Sequence, residues 1–313
     1  MPRGVMKPLQ VGLLGIGTVG LGTWTVLRRN AEEIARRAGR PIRITWIAER
    51  ALDRPREVTR GASDVNLTDD AAKVLTHRDI DIVVELIGGI EPARTFILQA
   101  IDNGKHVVTA NKALLARHGN EIFAAAHRKG VMVAFEGAVA DGVPIIKALR
   151  EGLTANRIEW IAGIINGTSN FILSEMRAKG ATFATVLKEA QARGYAEADP
   201  TYDIEGVDAA HKLTIMSAIA FGVPMQFDKV YTEGISKLTG EDISYAEEMG
   251  YRIKLLGITR RTATGIELRV HPTLIPAKRL IANVEGVMNA VLVKGDAVGA
   301  TMYYGAGAGA EPT

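Results

Sequence analysis

A short apolar run, Leu9–Leu14 (LQVGLL), leads directly into Gly15-Ile16-Gly17-Thr18-Val19-Gly20, and a helical pattern then runs from Val19 to about Ala38. This order of strand, glycines and helix constrains the chain more than any other feature. The apolar run has the character of a buried parallel strand. In a GxGxxG turn the first glycine permits the tight bend, the second lets the backbone approach a pyrophosphate, and the third lets the helix pack on the strand. Exposed N–H groups and the helix dipole then favour anionic phosphates. The same glycines in isolation would suit a turn with no ligand, but in this setting they form a dinucleotide-binding fingerprint.

The following segments repeat the theme. A second strand, Pro41–Ala48 (PIRITWIA), ends at Glu49-Arg50. An acid there would bond a ribose 2′-hydroxyl and an arginine would accommodate a 2′-phosphate, so the residues leave NAD and NADP both open. A third strand, Ile80–Ile87, ends in Gly88-Gly89, and Pro92 stands near the first position of the next helix. A fourth, His106–Ala110, gives way to Asn111-Lys112 and a helix over Ala113–Lys129; a fifth, Val131–Phe135, ends at Glu136-Gly137. Strands alternating with helices predict an α/β fold, a Rossmann-type doubly wound parallel sheet. Ligands gather at the carboxyl ends of such strands, which is where Lys112 and Glu136 are expected. On position alone Lys112 equally suits a surface lysine at a helix start.

After Val143-Pro144 the strict alternation ends. Helices are expected over Ile145–Leu153, Phe171–Lys179, Phe183–Arg193 and Asp242–Tyr251, with Asn166-Gly-Thr-Ser-Asn170 capping the second of them. Arg157–Ile165, Arg252–Ile258, Ile266–Pro272 and Ala290–Tyr303 favour strands. The mixture predicts a second, α+β domain over residues 138–303, following a dinucleotide-binding domain over 1–137 to which 304–313 return. The glycine-rich run Gly305–Gly309 leads to Thr313 with no terminal element after it, and a truncated chain is the expectation.

The stretch Ala192–Lys212 (ARGYAEADPTYDIEGVDAAHK) concentrates Glu197, Asp199, Asp203, Glu205, Asp208 and Lys212. Pro200 lacks an N–H and biases Asp199 away from helix, and the chain from Asp203 reads as a helix running to about Ala220. Asp208 and Lys212, four residues apart with the acid first, share a face of it, and Glu205 is expected one turn back on that face. A capped surface helix with one ion pair would account for the spacing. On spacing alone that is the simpler account; a lysine steered by carboxylates that also bind a zwitterionic substrate is the other, and the remainder of the chain favours this second reading.

Composition excludes several chemistries. The 313 residues contain no cysteine, so disulfides, thiolate metal sites and a cysteine nucleophile are ruled out. The 38 basic and 35 acidic residues are interspersed, and the densest basic cluster, Arg28-Arg29 with Arg36-Arg37, alternates with Glu32 and Glu33 as on a solvated helix face, so the pI of about 9.0 does not indicate nucleic acid. The six histidines are scattered without an HxxxH pair, which argues against a zinc enzyme; His211 is read as structural. No apolar run approaches the ~18 residues of a membrane span, Met1–Lys7 has no signal-peptide core, and a cytoplasmic protein without membrane or nucleic-acid partners is expected.

Taken together, GxGxxG, Val-Val-Thr-Ala-Asn-Lys112, Glu136-Gly-Ala-Val, Ile-Ile-Asn-Gly-Thr-Ser-Asn170, Gly194-Tyr-Ala-Glu197-Ala-Asp-Pro and Asp208-Ala-Ala-His-Lys212 resemble homoserine dehydrogenases, in order and over the whole chain. The resemblance implies reversible, NAD- or NADP-dependent interconversion of L-homoserine and L-aspartate 4-semialdehyde, on the route to threonine, methionine and isoleucine. It implies that Lys212 is the general acid/base, that Glu197 binds substrate, that Asp203 and Asp208 order substrate and lysine, and that Lys112 lies between nicotinamide and substrate. Cofactor contacts fall to Gly15, Ile16, Gly17, Thr18, Val19, Gly20, Arg50, Gly88, Lys112 and Gly309. A monovalent cation, sodium or potassium, is implied on main-chain oxygens of Glu136, Val139, Asp141 and Val143, as is a homodimer built on the second domain. Asp141 departs from the family, which often has glycine there, and no regulatory domain is expected in this chain. Two rivals are weighed against this reading. An aspartate-semialdehyde dehydrogenase needs a cysteine for its thioester and is excluded; a catalytically silent nucleotide-sensing protein on the same fold should have lost the substrate-domain acids and paired lysines, which are all present.

Overall fold

The computed structural model describes residues 6–313, so most of the Met1–Lys7 segment lies outside the described residues. The chain divides into two units, the first comprising the described residues through Ala138 together with Gly309–Thr313, the second Val139–Ala308. No helix among the described residues is long and apolar enough to cross a membrane.

In the first unit β1 (Leu9–Leu14), β2 (Ile42–Ala48), β3 (Asn66–Thr68), β4 (Ile82–Glu85), β5 (His106–Thr109) and β6 (Val133–Ala134) form one sheet in the order β3-β2-β1-β4-β5-β6, with every pair parallel. The order reverses between β1 and β4, which opens a crevice for ligand at the carboxyl ends of those strands. The helices are α1 (Thr18–Arg29), α2 (Ala31–Ala38), α3 (Asp53–Val58), α4 (Ala71–Leu75), α5 (Ala93–Asp102) and α6 (Lys112–Lys129). Val11, Leu13, Ile44, Ile47 and Val84 from the strands pack with Ile16 and Trp24 into one core cluster. The helix expected over Val19–Ala38 is two helices, because Asn30 leaves helical geometry at φ −105°, ψ 20° and serves as the boundary of both. β3 was not foreseen: three residues paired with Trp46–Ala48 are too short to show alternation.

In the second unit the helices are α7 (Ile145–Lys147, continued by a wider turn to Gly152), α8 (Gly167–Lys179), α9 (Phe183–Ala192), α10 (Thr201–Ile204), α11 (Val207–Phe221) and α12 (Gly240–Glu248). The strands β7 (Ile158–Ile164), β8 (Tyr231–Thr232), β9 (Tyr251–Arg261), β10 (Ile266–Pro276), β11 (Met288–Gly295) and β12 (Gly299–Ala306) form a mixed sheet ordered β12-β11-β7-β9-β10-β8. Its pairs are antiparallel except β10 with β8. Helices α8, α11 and α12 pack on β9, and Ile164, Leu256, Ile275, Val284 and Ala290 belong to one buried cluster. The β stretch expected over Ala290–Tyr303 is a hairpin that turns at Gly299, whose φ of +78° suits glycine. β12 continues through Ala306, so the expected return to the first unit at residue 304 is corrected to Gly309.

The helix expected from Asp203 onward is also corrected. Gly206, at φ +79°, separates α10 from α11, and a Cβ there would crowd Val270 and Thr232. Glu205 ends α10 ahead of that break, so it does not share the helix face of Asp208 and Lys212.

Candidate functional site

The first unit carries a cleft of about 770 Å³ at the strand ends, lined by Gly15, Gly17, Glu49, Arg50, Asp69, Gly88 and Pro92, among others. Each fingerprint glycine has a separate reason to be there. Gly15 adopts φ +91°, and a Cβ would lie 2.8 Å from the Leu86 carbonyl oxygen. A Cβ at Gly20 would run into the Gly15 carbonyl, whereas Gly17 has open space about it, as close approach by a ligand requires. Gly17 is the N-cap of α1 and supplies no side chain to its first N–H groups, which suits an anion at that helix start. Thr18, Val19 and Gly20 form the first turn of α1.

Glu49 braces this turn. One carboxylate oxygen accepts from Ile16 N at 2.9 Å and the other from Arg50 N at 2.9 Å, while the Arg50 side chain is exposed at the rim. A second brace was not read from the sequence. Glu85, fully buried at the end of β4, accepts from Ile87 N, Gly88 N and the Thr109 hydroxyl at 2.8, 3.1 and 2.7 Å. Thr109 Oγ1 in turn accepts from Asn111 N, and Asn111 both caps α6 and donates to the Gly89 carbonyl at 2.6 Å. This network fixes the backbone on either side of Lys112, a half-buried side chain at the first position of α6. An acid inside the apolar run IDIVVELI was the available signal, since a buried carboxylate must find donors.

Glu136 opens a single 3₁₀ turn after β6. Gly309 begins a short strap, Gly309–Thr313, held to the first unit by Arg29–Glu311 at 2.8 Å and by Ala310, whose carbonyl sits so close to Gly22 that a Cβ there would collide with it. Ala310, Glu311 and Thr313 border a trough of about 350 Å³ with Val19, Val84 and Val108, which is predominantly apolar.

The second unit holds the lysine and its acids. Lys212 is 5% exposed; its Nζ pairs with Asp208 Oδ2 at 2.9 Å and donates to the Ile165 carbonyl at 2.9 Å. The Asn166 Nδ2 donates both to Asp208 Oδ2, at 3.0 Å, and to Asp203 Oδ1, at 2.7 Å. Burial holds the Asp203 carboxyl above the ordinary aspartate range, with the neighbouring Asp208 adding to the effect and the Asn166 donor and Lys212 opposing it. The structure therefore gathers Lys212, Asp208 and Asp203. Glu197 stands outside this cluster, exposed on the loop after α9, where its carbonyl accepts from Gln191. That loop is tied to α8 by the Thr168 hydroxyl donating to the Tyr195 carbonyl. His211, fully buried, packs between the rings of Tyr202 and Phe227.

Val139 and Val143 are buried, and the turn between them places Ala140 at φ +56° and Asp141 at φ +39°. This left-handed geometry explains why glycine would serve at 141 without strain, and aspartate is among the residues that tolerate it. Gly142 N donates to the Ala306 carbonyl, tying the turn to β12.

A parallel sheet ordered in this way, with a braced glycine turn at its switch point, defines a dinucleotide-binding protein of the dehydrogenase type, and the second unit adds a buried lysine held by carboxylates. The profile of the homoserine dehydrogenase NAD binding domain matches residues 15–136, and that of homoserine dehydrogenase matches residues 144–313. A homoserine dehydrogenase from Pseudomonas aeruginosa is 68% identical over 98% of this chain and 70% of its own length; one from Neisseria gonorrhoeae is 65% identical over the same shares. The crystal structure of a homoserine dehydrogenase from Thiobacillus denitrificans, 73% identical, superposes with a TM-score of 0.96 over 98% of this chain and 71% of that one. The chain belongs to the homoserine dehydrogenase family.

Proposed function

We propose that this chain catalyses the reversible NAD(P)-dependent interconversion of L-homoserine and L-aspartate 4-semialdehyde, with Lys212 as the general acid/base. The observation that carries the reading is a buried ammonium fixed by one carboxylate and one carbonyl. In the synthetic direction the aldehyde oxygen gains a proton as its carbon is reduced, and an ammonium both stabilises the developing alkoxide and delivers that proton. A positioned acid of this kind contributes roughly 10²–10⁴-fold. The open surroundings of Gly17 and the bare first turn of α1 suit a pyrophosphate; the bound dinucleotide supplies the hydride chemistry.

Asp208 orients Lys212, and Asp203 with Glu197 attracts the substrate ammonium. Lys112 neutralises the substrate carboxylate or assists at the reacting oxygen. A monovalent cation completes the assignment, on main-chain oxygens of Glu136, Val139, Asp141 and Val143; three of these four residues lie at or around the left-handed turn at 140–141. A homodimer through the second unit is part of the same proposal. With Asp203, Asp208 and Lys212 gathered in one cluster and Lys112 retained in the first unit, nothing favours a silent nucleotide sensor. Homoserine-dependent reduction of NAD⁺ and of NADP⁺, followed side by side at several sodium and potassium concentrations, tests the reading. Turnover with at least one coenzyme is expected, and its absence with both would refute the assignment.

A further inference from the structure

The two acids of the lysine cluster come from different helices, Asp203 from α10 and Asp208 from α11, with the left-handed Gly206 between them. Nothing in the helical repeat holds them in register, and one side chain crosses from one to the other. Asn166 follows β7 in extended geometry and is the N-cap of α8, where its Oδ1 accepts from Ser169 N at 2.8 Å. That bond fixes which way the amide faces. Its Nδ2 must then point away from the helix, and it carries two hydrogens, one for each carboxylate: Asp203 Oδ1 at 2.7 Å and Asp208 Oδ2 at 3.0 Å. The preceding residue, Ile165, contributes the carbonyl that receives Lys212. A second tie, from the Ser169 hydroxyl to the Asp203 carbonyl at 2.9 Å, fastens α10 to the same helix start.

We infer that Asn166 is a positioning residue for the reaction: its single amide clamps Asp203 and Asp208 side by side as acceptors, and so sets the direction of the Lys212 ammonium. The physical need is plain. Two neighbouring, largely buried carboxylates repel each other and resist ionisation, and a donor shared between them offsets both penalties at once. The charged groups acting on Asp203 are Asp208 and Lys212; of the neutral donors, the amide of Asn166 has the larger effect and the Thr168 hydroxyl the smaller. The inference rests on the proposed role of Lys212.

The capping and clamping functions can be separated. Serine and aspartate are both good N-caps, so Asn166→Ser and Asn166→Asp keep the bond to Ser169 N while removing the shared donor. For Asn166→Ser the expected result is a Tm near that of the unchanged protein, an unchanged dinucleotide Kd, and a fall in kcat for homoserine oxidation of ten-fold or more. The acidic limb of its pH profile should move to higher pH, because loss of the donor raises the Asp203 pKa further. Asn166→Asp, which adds a third carboxylate, should lose more, and it carries the same test if the serine variant does not fold. A readout independent of turnover is the ¹³C carboxyl titration of Asp203, assigned with Asp203→Asn: its midpoint should rise in Asn166→Ser. Unaltered kcat, homoserine KM and Asp203 titration in a folded Asn166→Ser would overturn the inference. An unchanged protein that fails to turn over homoserine would instead refute the proposed function, while the titration still decides the clamp.

Discussion

Lys212 and Asp208 meet across one turn of α11 with 2.9 Å between Nζ and Oδ2, both side chains almost entirely buried. A second of the three ammonium donors goes to the Ile165 carbonyl. The lysine is thus aimed by two fixed acceptors. Replacing it, as Lys212→Ala, is expected to lower kcat by about two orders of magnitude or more and to leave NAD(P)H affinity nearly intact, as read by steady-state kinetics and fluorescence titration. A kcat like that of the unchanged chain would remove Lys212 from the chemistry.

Gly20 stands so close to the Gly15 carbonyl that even a methyl group cannot enter. Gly20→Ala therefore forces α1 away from β1 or distorts the turn. Overpacking of this kind costs roughly 1–3 kcal/mol, so a lower Tm and at least a ten-fold weaker dinucleotide Kd are expected. Gly17→Ala, at a position with open space, should fold as well as the parent and lose dinucleotide affinity alone. Calorimetry paired with dinucleotide titration distinguishes the two outcomes.

Glu197 is exposed, so its proposed part is in binding. In Glu197→Leu the homoserine KM should rise several-fold or more while stability and dinucleotide Kd stay constant. An unchanged KM would transfer the substrate ammonium to Asp203.

Lys254 offers a pH test away from the reaction. Its ammonium, 1% exposed, donates to Asn170 Oδ1 and to the Val284 carbonyl, with Glu285 at 3.7 Å. Burial pushes its pKa down to about 8, against the opposing pull of Glu285 and with a further push from Arg177 and Arg252. Below pH 8 the folded and unfolded chains both hold this proton, and the folded one bears the cost of burying it. Between pH 8 and about 10.5 only the unfolded chain keeps it, so the contribution of Lys254 to stability becomes more favourable as pH rises. Over that window the difference in unfolding free energy between the parent and Lys254→Met should shift in favour of the parent by on the order of 3 kcal/mol. Denaturant titrations at pH 7.5 and 10.5 measure it, and a pH-independent difference would count against the depressed pKa.

Most of the first unit's sheet was legible because β1, β2, β4 and β5 are apolar runs, and β1, β4 and β5 are followed closely by glycine or a helix cap. Short strands such as Asn66–Thr68 and Tyr231–Thr232 were not, since two or three residues cannot display a period. Lys212 and Asp208 were found by spacing, which a helix converts reliably into proximity. Glu205 was misplaced by the same rule, because the rule assumes an unbroken helix and Gly206 breaks it. Asn166 looked like a cap and is one; its other hand was hidden because Asp203 and Asp208 lie 37 and 42 residues further along the chain. Glu85 was hidden for the related reason that its partners, Thr109 and the loop at Gly88, come together only through strand pairing.

The strap at Gly309–Thr313 makes the nucleotide-binding unit discontinuous in sequence, with the entire second unit inserted between Ala138 and Gly309. During synthesis the ribosome must therefore deliver every residue of the insert before Ala310 can settle against Gly22 and Glu311 can reach Arg29. Until then the apolar trough lined by Val19, Val84 and Val108 lacks the wall that Ala310, Glu311 and Thr313 supply, and the nucleotide-binding unit stays open on that side.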